Sequence, residues 1–245
     1  MPFIFMFFGF FTLLVISPLS AQETTCPAND KACLLQQLEN LAGEIGETHW
    51  KDQTYRELAK LLAAEKQTGR ALALIARIES PDTKAMTIRG IGMAAAKSDL
   101  SAADYATLFT DLRAEAEKIE HPPSYAIALT YIAMAQAFAG DDAGAMKTAN
   151  EMKNDALRNK AHGESAEIQA ERGDIDAAMT SIAAIDSPAF RDKAHRTISK
   201  IFADRQKYDE AQKAAMAIEN TYQKAQSVLY ILARQITPEE VSLVE

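Results

Sequence analysis

Glycine and proline are scarce in this chain, ten and eight among 245 residues. That leaves few of the breaks that punctuate loop-rich or strand-rich folds. Basic residues are outnumbered, 26 Lys and Arg against 34 Asp and Glu for a net charge of −8, which disfavours a nucleic-acid partner. No glycine-rich phosphate loop, zinc-type spacing or catalytic signature occurs anywhere in the chain. After the first twenty residues no second long hydrophobic run appears. What remains is alanine-rich and predicts a soluble, all-α product of one generous domain.

The N-terminal stretch itself lacks charge. A Phe-rich run from Met1 to Ile16 breaks at Ser17-Pro18 and reaches Ser20-Ala21 before the polar Gln22 to Thr25. This is the pattern of a signal peptide, residues 1–21, cleaved near Ala21, and it places the product in the periplasm or outside the cell. An uncleaved anchor is the alternative, although the core from Phe3 to Ile16 is short for a span of roughly 20 residues. No membrane span is expected after cleavage. The only cysteines, Cys26 and Cys33, lie in the segment 22–32 and at its border, with Pro27, Asn29 and Asp30 between them to turn the chain. In an oxidising compartment they are expected to pair, closing a ring worth about 2.5 kcal/mol by loop entropy. A redox or metal site is the competing reading of the pair.

Beyond Asp30 the pattern is helical to about Gln235, and it repeats. Ile45, Ile78, Ile119, Met152, Ile185 and Ile218 are separated by 33, 41, 33, 33 and 33 residues. Leu58, Ile91, Ile132, Ser165, Ile198 and Ile231 follow the same intervals, with small residues directly after the first five. A third column holds Ala71, Leu112, Ala145, Ala178 and Ala211. Each unit reads as two antiparallel helices. Gly140-Asp141 and Gly173-Asp174 fit a left-handed helix end followed by an N-cap, and Ser80-Pro81 and Ser187-Pro188 fit the start of the next unit. The single excess of eight residues falls between Ala96 and Ile119, where Ser101 to Asp104 resembles a capping box. It predicts a second helix lengthened by two turns, running to about Glu120 and ended by His121-Pro122-Pro123.

A unit of this length, with small residues where its helices cross and a helix reading Ile132-Ala-Met-Ala-Gln-Ala-Phe-Ala-Gly-Asp141, resembles the tetratricopeptide repeat and its relatives. The resemblance covers residues 33–236. It implies a right-handed α-solenoid of about five helix-turn-helix repeats with period 33, plus a terminal helix and a polar tail over 237–245. It further implies that the first helix of each unit lines a concave face that binds a protein or peptide. On that face the register places Arg56, Lys60, Met86, Arg89, Met93, Met134, Phe138, Lys160, Lys193, Arg196 and Lys200. Methionines suit an adaptable groove and the basic residues suit an acidic partner.

The expected function is therefore a non-catalytic protein-protein interaction module of the bacterial cell envelope, without cofactors. A self-assembling envelope scaffold is the alternative, and an envelope enzyme or metal-binding protein ranks behind both. His162 and His195, again 33 apart, read as packing residues of a half-buried column, as a pH-sensitive seam or as metal ligands. Ser165, in the buried column, is expected to bond back to its own helix. Trp50 is expected to pack the end of the array from the link between the first two helices. Leu229, Tyr230 and Leu232 are expected to lie exposed on a terminal helix beginning at Val228.

Overall fold

The computed structural model describes residues 26–237, and within them the chain forms helices and turns without a strand. The helices are α1 (Lys31–Glu44), α2 (Thr48–Ala64), α3 (Thr68–Ile75), α4 (Pro81–Ala95), α5 (Ala102–Glu117), α6 (Pro122–Ala139), α7 (Asp142–Asn150), α8 (Asp155–Arg172), α9 (Ile175–Ala183), α10 (Pro188–Asp204), α11 (Tyr208–Met216) and α12 (Thr221–Ile236). The expected signal peptide and all of the polar tail except Thr237 lie outside the described residues. No helix among the described residues is long and apolar enough to cross a membrane.

Two kinds of helix alternate. From α2 onward each even-numbered, or leading, helix packs against the next leading helix, and each odd-numbered, or trailing, helix from α3 packs against the leading helix before it. The three apolar columns explain this arrangement. All of Leu58, Ile91, Ile132, Ser165, Ile198 and Ile231 are buried, as are Ala71, Leu112, Ala145, Ala178 and Ala211. The isoleucine column is buried from Ile78 to Ile218, and only its first member, Ile45, is half-exposed. The small residues mark close helix crossings. A Cβ added at Gly92 would lie 2.7 Å from the Ala135 Cβ, so α4 and α6 meet at a distance that only glycine allows there.

Every hairpin turns on a left-handed residue. Gly140 and Gly173 have φ of 86° and 87°, as their sequence predicts, and the equivalent Lys66, Asp99 and Gln206 have φ of 60°, 47° and 60°. Asp141 and Asp174 then cap the trailing helices by accepting from the Gly144 and Ala177 N–H. Ser80 caps α4 at the Thr83 N–H, but Ser187 makes no side-chain cap, and proline alone in the first turn sets the start of α10. The eight-residue excess lengthens α5 to 16 residues, against 8 or 9 in the other hairpin-closing helices. Its added turns are N-terminal and begin at the Ser101 cap, which accepts from the Asp104 N–H. It ends at Glu117, and Pro122 and Pro123 open α6 instead of terminating α5.

Cys26 and Cys33 form a disulfide, with Cα atoms 5.6 Å apart, directly beside the Asp30 cap of α1. Three expectations need correction. Trp50 lies in the first turn of α2, capped by Glu47, and is 62% exposed against the edge of His49. The terminal helix starts at Thr221 under an Asn220 cap, not at Val228. Within it Leu229 and Leu232 are exposed, but Tyr230 is buried and donates to Asp204.

Candidate partner-binding face

The linkers that join one hairpin to the next occupy equivalent places, and most are closed by a buried polar side chain from a leading helix. Asp52 on α2 accepts from the Glu79 and Ser80 N–H at 2.8 to 3.2 Å. Asn159 on α8 accepts from the Asp186 N–H at 3.0 Å, and Asp192 on α10 accepts from the Glu219 and Asn220 N–H at 2.7 and 3.0 Å. All three side chains are buried. Each supplies an acceptor to backbone donors at the end of the linker, just ahead of the next helix, which no helical carbonyl pairs.

The column has alanine at Ala85 and Ala126. At the first of these no side chain among the described residues accepts from the Glu120 or His121 N–H, but side chains tie the linker to α4. Ser124 at the start of α6 donates to Asp82 of α4, and its hydroxyl also meets the His121 Nδ1. At Ala126 nothing replaces the carboxylate, and no side chain among the described residues accepts from the Lys153 or Asn154 N–H. The linker is held instead by the Arg158 bond to the Met152 carbonyl and by the Glu151 ion pair with Arg113. A groove of about 590 Å³ opens at that place, between the start of α6 and the linker, lined by Pro122, Pro123, Tyr125, Ala126, Ile127, Leu129, Met152 and Leu157 with Glu151, Lys153 and Asn154 as its polar residues. Its walls are apolar because both prolines, needed to start α6, and Leu157 on the first turn of α8 face into it.

A second groove, of about 290 Å³, lies between α8 and α10 and is lined by Asn159, Lys160, Gly163, Glu164, Glu167, Phe190, Lys193, Ala194 and Thr197. Leu157 in the first groove and Phe190 in the second are equivalent positions. Glu167 here has its carboxyl pushed up by burial and by Glu164 and Glu171, with Lys193 opposing. It makes no ion pair among the described residues, and with Lys160 and Lys193 beside it the groove carries both signs of charge.

The residues assigned to this face by register differ in what engages them. Lys160 and Lys193 meet in the second groove. Lys160, Lys193 and Arg196 are exposed, and no ion pair or hydrogen bond engages their side chains among the described residues. Arg56 and Lys60 are both held by Glu57, at 2.9 and 2.6 Å. Glu57 is accordingly shifted down, with the Lys60 bond as the largest cause. Arg89 lies over the Tyr131 ring at 5.4 Å, and Lys200 over the Tyr230 ring at 4.9 Å. Met86 is half-buried, and Met93 packs on the main core. Met134 and Phe138 pack on Ala137, Ala145 and Ile168, with Lys97 over the Phe138 ring.

The histidines are core residues. Both are buried, not half-buried, and burial is the main cause that pushes each below its usual pKa. His162 Nε2 meets the Asn150 side-chain oxygen at 3.0 Å, whereas the His195 Nδ1 has no partner. No group of three His, Cys, Asp or Glu side chains among the described residues is arranged to hold a metal ion. The Ser165 hydroxyl is buried without any hydrogen bond, so it does not bond back to its helix. Sequence reasoning missed the first groove altogether. The signal available was the phase of Asp52, Asn159 and Asp192, which share one register that Ala85 and Ala126 interrupt.

Compared with known protein families, curated proteins and solved structures, the chain finds no match.

Proposed function

We propose that the chain is a tetratricopeptide-like, right-handed α-solenoid that binds a protein or peptide partner on the face of its leading helices. It carries no chemistry of its own in this reading. The observation that carries the reading is the apolar groove at Ala126, which exists because the side chain that closes equivalent linkers is missing there. Concave apolar surface flanked by a few polar groups is the usual form of a recognition site. Beside it on α8, Lys160 sits one helical turn from Leu157, and with Lys193 and Arg196 it leaves cationic groups unengaged. A segment placing a large apolar residue in the first groove and a carboxylate near Lys160 and Lys193 fits both features.

The recurrence of a left-handed residue in every hairpin and the burial of all three apolar columns support the repeat reading. The Cys26–Cys33 disulfide supports export to the periplasm or beyond, with a signal cleaved near Ala21 and a bacterial envelope as the setting.

The test is selection of displayed random peptides on the wild-type chain and on two variants. Enriched peptides are expected to pair a large apolar residue with Asp or Glu within a few positions. Ala126→Asp is expected to abolish the apolar preference, and Lys160→Glu with Lys193→Glu the acidic one. Enrichment indifferent to both variants would refute the reading.

A further inference from the structure

The two ends of the helix array expose apolar positions whose counterparts are buried in most of the hairpins between them. Leu41 on α1 stands at the position of Leu74, Glu115, Thr148, Ser181 and Ala214; Glu115 is half-buried and the other four are 2%, 6%, 3% and 0% exposed. Leu41 is 51% exposed, and Leu34, one side of the same face, is 39% exposed. At the other end, Leu232 and Ile236 on α12 stand where Ser199 and Ala203 stand on α10. Those two are each 1% exposed, and the Ser199 hydroxyl donates to the Ala211 carbonyl of α11. Leu232 and Ile236 are 44% and 74% exposed. By this correspondence, among the described residues, α1 is a trailing helix without a leading partner, and α12 is a leading helix without a trailing one.

We propose that α12 of one copy receives α1 of a second copy, so that two half-units complete one more hairpin and the chain associates head to tail. The occupant follows from the pattern. The open face of α12 is the kind that takes a trailing helix in every other unit, and the open face of α1 is the kind that takes a leading helix. Leu232 then packs on Leu38 and Ile236 lies beside Leu34, as the residues of α10 and α11 pack within one chain. A contact of α12 with another α12 would pair two faces of the same kind, which occurs at no hairpin of this fold. A head-to-tail contact leaves one end of each kind unused and therefore propagates unless it closes into a ring.

Sedimentation velocity of the purified chain over a range of concentrations tests this. The wild type is expected to form species larger than 26.8 kDa as concentration rises. Leu232→Glu with Ile236→Glu disables the receiving end, and Leu34→Glu with Leu41→Glu disables the entering end. All four positions are exposed in the single chain, and circular dichroism checks that the fold survives. Each double variant alone is expected to remain monomeric, because one end of every contact is then disabled. An equimolar mixture of the two is expected to give a twofold mass and nothing larger, since each still has one working end. A wild type that stays monomeric overturns the proposal. So does a mixture that stays monomeric, or an entering-end variant that still dimerises, which would mean α12 pairs with α12. If a chain ending at Thr237 associates and the longer one does not, the occupant of α12 is the chain's own residues 238–245 and the proposal again fails. The ends are remote in sequence from the Ala126 groove, so these results stand apart from those of peptide selection.

Discussion

The linkers before α8 and before α12 are each four residues long and join the same two kinds of helix, yet they behave as opposites. Before α12, Asp192 reaches from α10 into the linker and accepts two backbone N–H bonds. Before α8, the corresponding residue is Ala126, the equivalent donors have no side-chain acceptor, and an apolar groove occupies the space. Alanine in a recurring column thus coincides with a candidate binding site before α8, whereas at Ala85 the Ser124 to Asp82 bond ties the equivalent linker. The lesson is that in an array of similar units, function is to be sought where a unit omits a bond its neighbours make.

Breaking the closed joint gives the largest expected effect. Asp192→Ala leaves two linker donors without their acceptor in a buried setting, and the loss is expected to be about 3 kcal/mol. Urea unfolding followed by circular dichroism measures it. A loss under about 0.5 kcal/mol would mean that water or a shifted linker replaces the carboxylate at little cost, and the contrast between the two joints would disappear.

Acidification addresses the same joint from another side. His195 is held below its ordinary pKa chiefly by burial, with Arg191 acting in the same direction and Asp192 and Glu219 against it. The unfolded chain therefore binds a proton more readily than the folded one. The stability tied to the neutral ring is complete above the unfolded pKa, near 6.5, and declines as pH falls from there toward the depressed folded value. His162 acts in the same sense. The wild type is expected to lose stability between about pH 6.5 and 5. His195→Gln is expected to flatten part of that slope, and identical slopes for the two proteins would exclude His195 as a contributor.

Much of this fold is legible in the sequence because burial repeats with the chain. The three columns are apolar or small in nearly every unit, so their phase alone locates the helices and even the lengthened α5. The hairpin turns show where legibility ends. Glycine announces a left-handed residue at Gly140 and Gly173, and aspartate hints at one at Asp99, but Lys66 and Gln206 adopt the same conformation with nothing in their chemistry to declare it. Their backbone is set by the helices on either side, which outweigh a local cost of about 1 kcal/mol. The candidate site was only partly legible for a related reason. Register places Arg56, Lys60, Arg89 and Lys200 on the leading helices, but it cannot show that Glu57, Tyr131 and Tyr230 already engage them. Nor can alanine at position 126 signal a groove until Asp52, Asn159 and Asp192 are known to hold linkers.

The smallest expected effect is also the most direct check on the comparison. Ala126→Asp places on α6 the carboxylate that Asp192 places on α10, opposite the Lys153 and Asn154 N–H. If the missing bond is what opens the groove, the new side chain closes it. Stability should then rise by about 1 kcal/mol, the net worth of a hydrogen bond to a charged group less its desolvation. The gain is smaller than the loss at Asp192 because the Ala126 site has no buried donors that depend on it, only donors that water now reaches through the groove. A destabilisation of 1 kcal/mol or more would show instead that the linker before α8 is held apart by its own packing. Pro122, Pro123 and Leu157, not the absent carboxylate, would then be the cause of the groove.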